Sequence, residues 1–286
     1  MALIDSYFRE TLIEILNQEW EVDNRAVWKD GTPVMTKRIF GVVRRYDLSK
    51  EFPALTLRGV PLKTCFREID WIYRKRSSNV KDFNGKIWDD WANPKTRLKL
   101  TKTFPFIRLQ KKGTIGKAYG AQVAKPVNGY DNQMDFILEE IKKNPTSRRL
   151  VIEMYNVDDL SEMNLPPCAH HLQFIVKNGR VNLVLKQRSN DFAVAGAFNV
   201  CEYALLVHMV ARHCGLEVGE LLHIVGDCHI YNKHLEQAEE LINRKSYAAP
   251  TLWINPEKTD FYSFTEDDFR LENYEKHEQM QFEVAV

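Results

Sequence analysis

The chain of 286 residues has almost no excess of charge of either sign. It contains 40 lysine and arginine residues against 39 aspartate and glutamate residues, which leaves a formal charge of +1 at pH 7. A near-neutral chain exerts no general attraction on nucleic acids or on anionic membranes. Any anionic ligand would therefore have to be held by a local cluster of cations.

Long uninterrupted apolar runs are also missing. The first ten residues contain Asp5 and Glu10, so we expect no secretory signal segment there. The most apolar stretch, residues 204–210, has Glu202 and Arg212 close on either side. It is too short and too polar to predict a membrane span, and we expect no membrane partner.

The five cysteines form no recognisable framework. Their number is odd, and no two of them have the Cys-x-x-Cys spacing that is typical of zinc sites and redox pairs. We therefore expect neither a disulfide framework nor a metal site, and a cytoplasmic location with reduced thiols. Internal repeats, low-complexity tracts and Gly/Ser-rich linkers are absent as well, which predicts one domain over residues 1–286.

Helical and strand-like patterns follow one another irregularly along the chain. Apolar residues at helical spacing predict helices, and Asn178-Gly179 between two apolar runs predicts a β-hairpin. Because strands do not alternate strictly with helices, we predict an α+β fold. The predicted helices cover residues 5–19, 62–76, 132–143, 200–214 and 232–243, and the predicted strands cover residues 39–45, 150–154, 172–176, 181–185, 221–225, 252–254 and 282–284.

One segment differs in composition from the rest. Residues 93–114 contain seven lysines and arginines and no acidic residue. We favour a solvated surface excursion, because a cationic run alone is weak evidence for nucleic-acid binding. The alternative is weak RNA binding by the cations between residues 95 and 112.

Cys168 is the first candidate for chemistry. It follows two prolines, which fix the backbone at the edge of a predicted strand. A lone cysteine is more often a small buried apolar residue than a nucleophile. Arg188 argues for the nucleophile, because a guanidinium beside a thiol favours the thiolate. From the residues alone, both interpretations stand.

Several other polar residues also allow two interpretations. Asn199 precedes a predicted helix and fits its N-cap, yet its carboxamide also has the donor and acceptor that match the edge of a pyrimidine. His229 by itself is typical of a hydrogen-bonded core histidine. Arg148 and Arg149, which we expect on opposite faces of a strand, fit either surface charge or an oxyanion site.

Together these residues resemble the thymidylate synthase family. Cys168, Arg188, Asn199 and His229 occur in the order and at the separations of that family. The other matching residues and segments are Arg58 with Glu68, Ile87-Trp88-Asp89-x-Trp91, residues 113–120, residues 145–149, Arg188-Ser189-x-Asp191, Gly226-Asp227-x-His229-x-Tyr231, residues 252–256 and the C-terminal residues 283–286. The resemblance implies a large mixed, twisted sheet flanked by helices, with two such sheets packed back to back in a homodimer.

The resemblance also implies an activity, that of a methyltransferase that converts dUMP to dTMP. 5,10-Methylenetetrahydrofolate would supply the one-carbon unit and the hydride and would leave as dihydrofolate. Cys168 would add to C6 of the uracil, which makes C5 nucleophilic. Asn199 would read the uracil N3–H and O4, so that cytosine, which reverses this pair, is rejected.

The resemblance assigns roles to individual residues. The catalytic residues would be Cys168, Glu68, Arg188, Asp191 and Tyr119. The nucleotide would be held by Arg25, Arg188, Ser189, Asn199, His229 and Tyr231, with Arg148 and Arg149 reaching in from the partner subunit. The folate would be bound by Arg58, Trp88, Trp91, Asp191, Ala195 and Val286, the last in a tail that closes over the ligands.

Some positions depart from the pattern of the family. Ala169 follows the proposed nucleophile where histidine is usual, and Val194-Ala195-Gly196-Ala197 replaces the usual Leu-Gly-x-Pro. These changes keep open the reaction of the phage pyrimidine hydroxymethylases, in which water rather than hydride adds to the same methylene intermediate. The retained Trp88, Trp91 and Val286 favour the synthase.

Overall fold

The computed structural model of the protein describes residues 1–93 and 112–284, without the side chains of residues 24–27. Most of the cationic segment and the C-terminal Val286 therefore lie outside the described residues. The side chain of Arg25 does too, although its backbone belongs to the first strand.

A six-stranded mixed sheet forms the centre of the fold. Its strands are β1 (Glu21–Val27), β2 (Pro33–Asp47), β3 (Val151–Glu153), β4 (Ala169–Lys177), β5 (Arg180–Asp191) and β6 (Glu217–Tyr231). They lie in the order β1-β2-β6-β5-β4-β3, and β5 and β6 are parallel while the other neighbours are antiparallel. A separate antiparallel pair is formed by β7 (Thr251–Ile254) and β8 (Phe269–Glu272).

Helices flank this sheet. They are α1 (Leu3–Leu16), α2 (Leu62–Ile69), α3 (Gly120–Val123), α4 (Gln133–Lys143), α5 (Ala197–Cys214) and α6 (Leu235–Asn243). Helix α1 packs on β2, and α5 packs on β5 and β6 as well as on α2. A π-helical turn, residues 192–196, joins the end of β5 directly to α5. The strand end and the start of the helix are thereby held next to each other.

Helix α5 is the central helix of the core. It is apolar on almost all sides, and Gly215, in the left-handed conformation with φ of 67°, ends it. By length and composition alone, the stretch Phe192–Cys214 is long and apolar enough to cross a membrane, but 72% of its most apolar window is buried inside the protein. A helix that is apolar on all sides and covered by its own protein is a core helix.

The α+β single domain predicted from the sequence is confirmed, as are the five predicted helices, with bounds shifted by a few residues. The hairpin between β4 and β5 also forms where predicted, with positive φ at Asn178 (51°) and Gly179 (73°), as a tight two-residue turn requires. The strand predicted at residues 282–284 is wrong, since this segment pairs with no strand among the described residues. Phe282 instead packs its ring against His234, with centroids 5.2 Å apart.

Candidate active site

The thiol of Cys168 lies at the start of β4, opposite the end of β5. Arg188 on β5 donates from Nη2 to the Pro166 carbonyl at 2.8 Å and from Nε to the Pro167 carbonyl at 3.2 Å. The same Nη2 lies 3.6 Å from Cys168 Sγ. The carbonyl groups of the two prolines thus fix the guanidinium by hydrogen bonds. The positively charged guanidinium thereby lies next to a half-buried thiol.

Tyr119 contacts the backbone of Cys168. Its hydroxyl oxygen accepts a hydrogen bond of 3.0 Å from the backbone N–H of Cys168. Its own backbone has φ of 46° and ψ of −104°, a conformation that is unusual for a residue with a side chain. Strain of this kind persists where the surroundings enforce it and is frequent at functional sites. Burial raises the pKa of the Tyr119 hydroxyl well above its ordinary value.

Glu68 on α2 provides a buried carboxyl close to Tyr119. Burial raises its pKa to about 8, and the nearby Trp88 indole N–H opposes part of this rise. No hydrogen bond of ordinary geometry forms between them, because Glu68 Oε2 and Trp88 Nε1 both lack a partner within the described chain. Trp88 also packs edge-on against Tyr119, with ring centroids 5.1 Å apart. A carboxyl that titrates near neutrality is suited to proton transfer.

Asn199 lies in the first turn of α5, where its amide is held at both ends. Its Oδ1 accepts hydrogen bonds from Gln187 Nε2 at 3.0 Å and from Asn190 Nδ2 at 3.3 Å. Its Nδ2 donates to Glu202 Oε2 at 3.3 Å. The helix begins at Ala197, with Gly196 at the N-cap position, so the N-cap interpretation of Asn199 is wrong.

The ends of the parallel strands β5 and β6 bring the next group of residues together. Ser189 lies opposite Asp227, and Asp191 lies opposite His229. Asp227 Oδ1 accepts a hydrogen bond of 2.7 Å from Nδ1 of the buried His229, which orients the imidazole. Tyr231 follows on β6, and its ring packs edge-on against that of His229 at 5.1 Å.

Arg58 connects this group with the C-terminal segment. Its Nη2 donates to the carbonyl oxygens of Ala193 and Val194, at 2.9 and 2.7 Å, in the turn that contains Ala195. The guanidinium carbon lies 5.5 Å from the centroid of the Phe282 ring. Burial lowers the pKa of Arg58 to about 10, so the guanidinium stays charged at neutral pH.

Two predicted site residues do not join the cluster in this chain. Arg148 and Arg149 are exposed in the segment before β3, and within the described residues no hydrogen bond or ion pair links their side chains to Cys168. They precede the strand, so the prediction that they lie on opposite faces of it is wrong.

Trp91 is half-buried, and its carbonyl accepts a hydrogen bond from Asn164. Arg25 and Val286 fall on parts that the structure does not describe.

Sequence reasoning missed four buried residues beside the cluster. They are Gln187, Glu202, His223 and His234. The sequence did contain a signal for these residues. Each is a polar or charged residue at a position that the apolar pattern assigns to the core, and such groups are rarely buried without partners. His234 shows the point, because its Nε2 donates to the carbonyl of Glu283 at 2.7 Å while its Nδ1 lies 3.6 Å from Asp191 Oδ1.

The site has unmet hydrogen-bonding capacity of the kind a polar ligand would use. Trp88 Nε1 and Glu68 Oε2 are buried and make no hydrogen bond in residues 1–93 and 112–284. Asp191 Oδ1 makes none there either, and its contact with His234 Nδ1, at 3.6 Å, is longer than a hydrogen bond. Buried polar groups in native proteins are almost always paired, so these unsatisfied hydrogen-bonding groups indicate a site for a polar ligand. In the same residues, no group of three or more His, Cys, Asp or Glu side chains is placed to hold a metal ion.

These observations define a class of protein. A half-buried thiol against a guanidinium, beside a buried carboxyl and a fixed amide, is the arrangement of an enzyme that acts through a covalent thiol adduct. The sequence profile of thymidylate synthases matches residues 6–286. The chain belongs to the thymidylate synthase family, whose members are methyltransferases that use 5,10-methylenetetrahydrofolate as co-substrate.

Individual relatives agree over the whole length. The chain is 39% identical to a thymidylate synthase of Bacillus subtilis subsp. natto over 297 aligned positions, which cover 100% of both chains. It is 38% identical, with the same coverage, to the thymidylate synthase of Bacillus phage phi3T. The solved structure of the thermostable thymidylate synthase A from Bacillus subtilis superposes with a TM-score of 0.87 at 37% identity and covers 99% of each chain.

Proposed function

We propose that this protein catalyses the reductive methylation of dUMP to dTMP, with 5,10-methylenetetrahydrofolate as the donor. The observation that carries the proposal is the contact of 3.6 Å between Cys168 Sγ and Arg188 Nη2, in a chain whose full-length relatives are named thymidylate synthases. Cys168 is the proposed nucleophile that adds to C6 of the uracil. Arg188, whose Nη2 lies against this sulfur, would contact the nucleotide phosphate.

The nucleotide would bind along the ends of β5 and β6. Ser189 and Arg188, with Arg25, would hold the phosphate, because hydroxyl and guanidinium donors suit an oxyanion. His229 and Tyr231 would contact the ribose hydroxyl. The hydrogen bond from His229 Nδ1 to Asp227 supports this role, since it fixes the imidazole and leaves Nε2 for the ligand.

The folate would lie between Trp88 and Asp191. When bound, it supplies the one-carbon unit and the hydride. The orphaned Asp191 Oδ1 and Trp88 Nε1 fit a flat molecule with donors and acceptors on its rim. Glu68, with its raised pKa, would hold and move protons near O4 of the uracil, and Tyr119 would assist proton removal from C5. Arg58 would face the acidic tail of the folate, Ala195 and Trp91 would line its pocket, and the tail ending at Val286 would exclude water.

Hydride transfer, rather than addition of water, is the proposed final step. The relatives that the chain matches over its full length are named synthases, and nothing found favours the hydroxymethylase. An assay of products separates the two reactions. The protein is incubated with dUMP and 5,10-methylenetetrahydrofolate while the absorbance of dihydrofolate and the mass of the nucleotide are followed. We expect dTMP and dihydrofolate in equal amounts, and tetrahydrofolate with a hydroxymethyl nucleotide would refute the proposal.

The covalent step is tested by removing single thiols. Cys168→Ala should abolish turnover but keep dUMP binding, and wild-type protein should form an adduct on Cys168 with 5-fluoro-dUMP and the folate. Cys214→Ala is the matched control, because Cys214 is also half-buried but lies at the far end of α5. Normal turnover by Cys168→Ala would contradict covalent catalysis.

We also propose that the active form is a homodimer in which the central sheets pack back to back. Phe40 on β2 is 98% exposed and Val43 is 61% exposed, which is unusual for apolar residues of a central sheet. The exposed Arg148 and Arg149 would then reach the phosphate site of the partner. Mixing inactive Cys168→Ala with inactive Arg148→Ala/Arg149→Ala should restore about a quarter of the activity, since half of the dimers would be hybrids with one intact site. A mixture that forms hybrids but stays inactive would argue against the shared site.

Two further expectations are proposals as well. The cytoplasmic location is supported by five cysteines that are all free. Residues 1–286 would form one catalytic domain with a basic insertion at about 93–114, most of which lies outside the described residues. Nothing found supports RNA binding by this insertion, and a solvated surface segment remains our interpretation.

A further inference from the structure

Glu202 is a buried acid without a base. It lies on α5, is 1% exposed, and none of the described ion pairs includes it. Its Oε2 accepts a hydrogen bond of 3.3 Å from Asn199 Nδ2, and its Oε1 has no partner among the residues that the structure describes. Buried carboxylates are normally paired with cations because the charged form loses its hydration. The environment of Glu202 therefore requires a neutral carboxyl.

The groups around Glu202 support the neutral form. The titratable side chains that face it are Glu68 and Cys65 of α2, Tyr73 of the turn after α2, and Cys201 and Tyr203 of its own helix. All of these are acids, and none can offset a negative charge. Burial, together with the nearby Glu68, raises the pKa of Glu202 well above its ordinary value.

A chain of hydrogen bonds on the other side of Asn199 determines which way its amide points. Burial lowers the pKa of His223 to about 4, so its ring is neutral, and its Nε2 donates to Gln187 Oε1. Asn190 Nδ2 donates to the same oxygen at 2.8 Å. Gln187 must then turn its Nε2 toward Asn199, whose Oδ1 accepts at 3.0 Å. The Gln187 end of the network thus places the Asn199 amide nitrogen on the side of Glu202, where Oε2 accepts from it.

We propose that Glu202, as a neutral carboxyl, is a positioning residue that fixes the Asn199 amide and thereby sets the preference for uracil over cytosine. This inference rests on the proposed function and on the role that the family resemblance implies for Asn199, which is to read the pyrimidine edge. Uracil presents an acceptor at O4 and a donor at N3, and cytosine presents the reverse. To accept cytosine, the amide must turn over, which sets Nδ2 against Gln187 Nε2 and gives up the hydrogen bond from Nδ2 to Glu202 Oε2. A network that forbids this turn rejects cytosine by leaving buried groups unmatched.

The test compares two substitutions that differ in one property. Glu202→Gln keeps an acceptor for Asn199 and has the shape of the neutral acid, whereas Glu202→Met fills a similar volume without an acceptor. The measured quantity is the ratio of the dissociation constants of dCMP and dUMP. We expect Glu202→Gln to keep the wild-type ratio within about twofold, and Glu202→Met to lower it about tenfold, the effect of one hydrogen bond. An unchanged ratio in Glu202→Met, or an equal loss in both variants, would overturn the proposal.

Two controls separate the role of Glu202 from general destabilisation. Tyr203 lies on the same helix as Glu202, and Tyr203→Phe removes its buried hydrogen bond of 3.1 Å with Tyr73. This substitution does not touch Asn199 and should leave the ratio unchanged. A fall in the ratio of Tyr203→Phe as large as in Glu202→Met would count against the proposal.

The second control uses wild-type protein and Glu202→Gln, so it holds if Glu202→Met fails to fold. A neutral carboxyl predicts a ratio that stays constant from pH 6 to pH 8, and a tenfold change that Glu202→Gln abolishes would overturn it. Wild-type turnover of dUMP is measured in parallel. Its absence would refute the proposed function, whereas turnover with an unchanged ratio in the Met variant would refute only the role of Glu202.

Discussion

Acid should destabilise this protein partly through a single buried histidine, His223. The side chain is 2% exposed in the middle of β6, and its Nε2 donates to Gln187 Oε1 in the network behind Asn199. Burial alone lowers its pKa from 6.5 to about 4. The perturbation is His223→Gln, which offers a donor to the same oxygen but does not titrate.

The sign and the size of the effect follow from this shift. A histidine whose pKa is lowered in the folded state contributes stability that is fully present above the unfolded pKa of 6.5, and that is lost as the pH falls toward the folded value of about 4. The fall of the pKa from 6.5 to about 4 corresponds to about 3 kcal/mol of unfolding free energy. By the same relation, about 2.5 kcal/mol of this loss has occurred at pH 4.5, and almost none at pH 7.5.

The assay is equilibrium unfolding in urea at pH 7.5 and at pH 4.5, for wild type and His223→Gln at the same protein concentration. The variant loses some packing at both pH values, so only the change between them is informative. We expect the stability difference between the two proteins to shift by about 2–3 kcal/mol in favour of the variant at the lower pH. If both proteins lose the same free energy on acidification, His223 is not the buried neutral group inferred from the structure.

Two other predictions concern the ligands. Phe282→Ala should raise KM for the folate several-fold and leave the dissociation constant of dUMP within about twofold. The reason is that the Phe282 ring packs on Arg58 and His234 rather than on the nucleotide site. Steady-state kinetics and calorimetry measure the two constants, and equal effects on both ligands would contradict this prediction. Glu68→Gln should abolish the bend near pH 8 in the pH profile of kcat/KM that the raised pKa of Glu68 predicts for wild type, together with a large loss of kcat. A bend that stays at the same pH in the variant would assign it to another group.

Short-range features of the fold were accessible from the sequence. The Asn178-Gly179 hairpin depends on two residues that tolerate positive φ, and the end of α5 depends on Gly215. The order of Cys168 and Asn199 among their motifs identified the family, because recognition of a family needs residue types and separations but no contacts. The failed strand at residues 282–284 shows the limit, since an apolar segment looks the same whether it pairs with a strand or packs through one aromatic ring.

What the sequence determined by itself, then, is the set of local conformations and the chemistry of the proposed nucleophile, because both depend on residues that are close along the chain or conform to a known order. Only the tertiary structure decided which groups surround Asn199. Its partner Glu202 lies one turn further along the same helix, but Gln187 lies on β5, and His223 reaches it only through the parallel pairing of β5 with β6. A polar residue in an apolar helix carries no record of its partner in the sequence. The burial of the Glu202 carboxyl and the direction of the Asn199 amide both come from packing. Burial keeps the acid neutral, and the surrounding hydrogen bonds fix the amide.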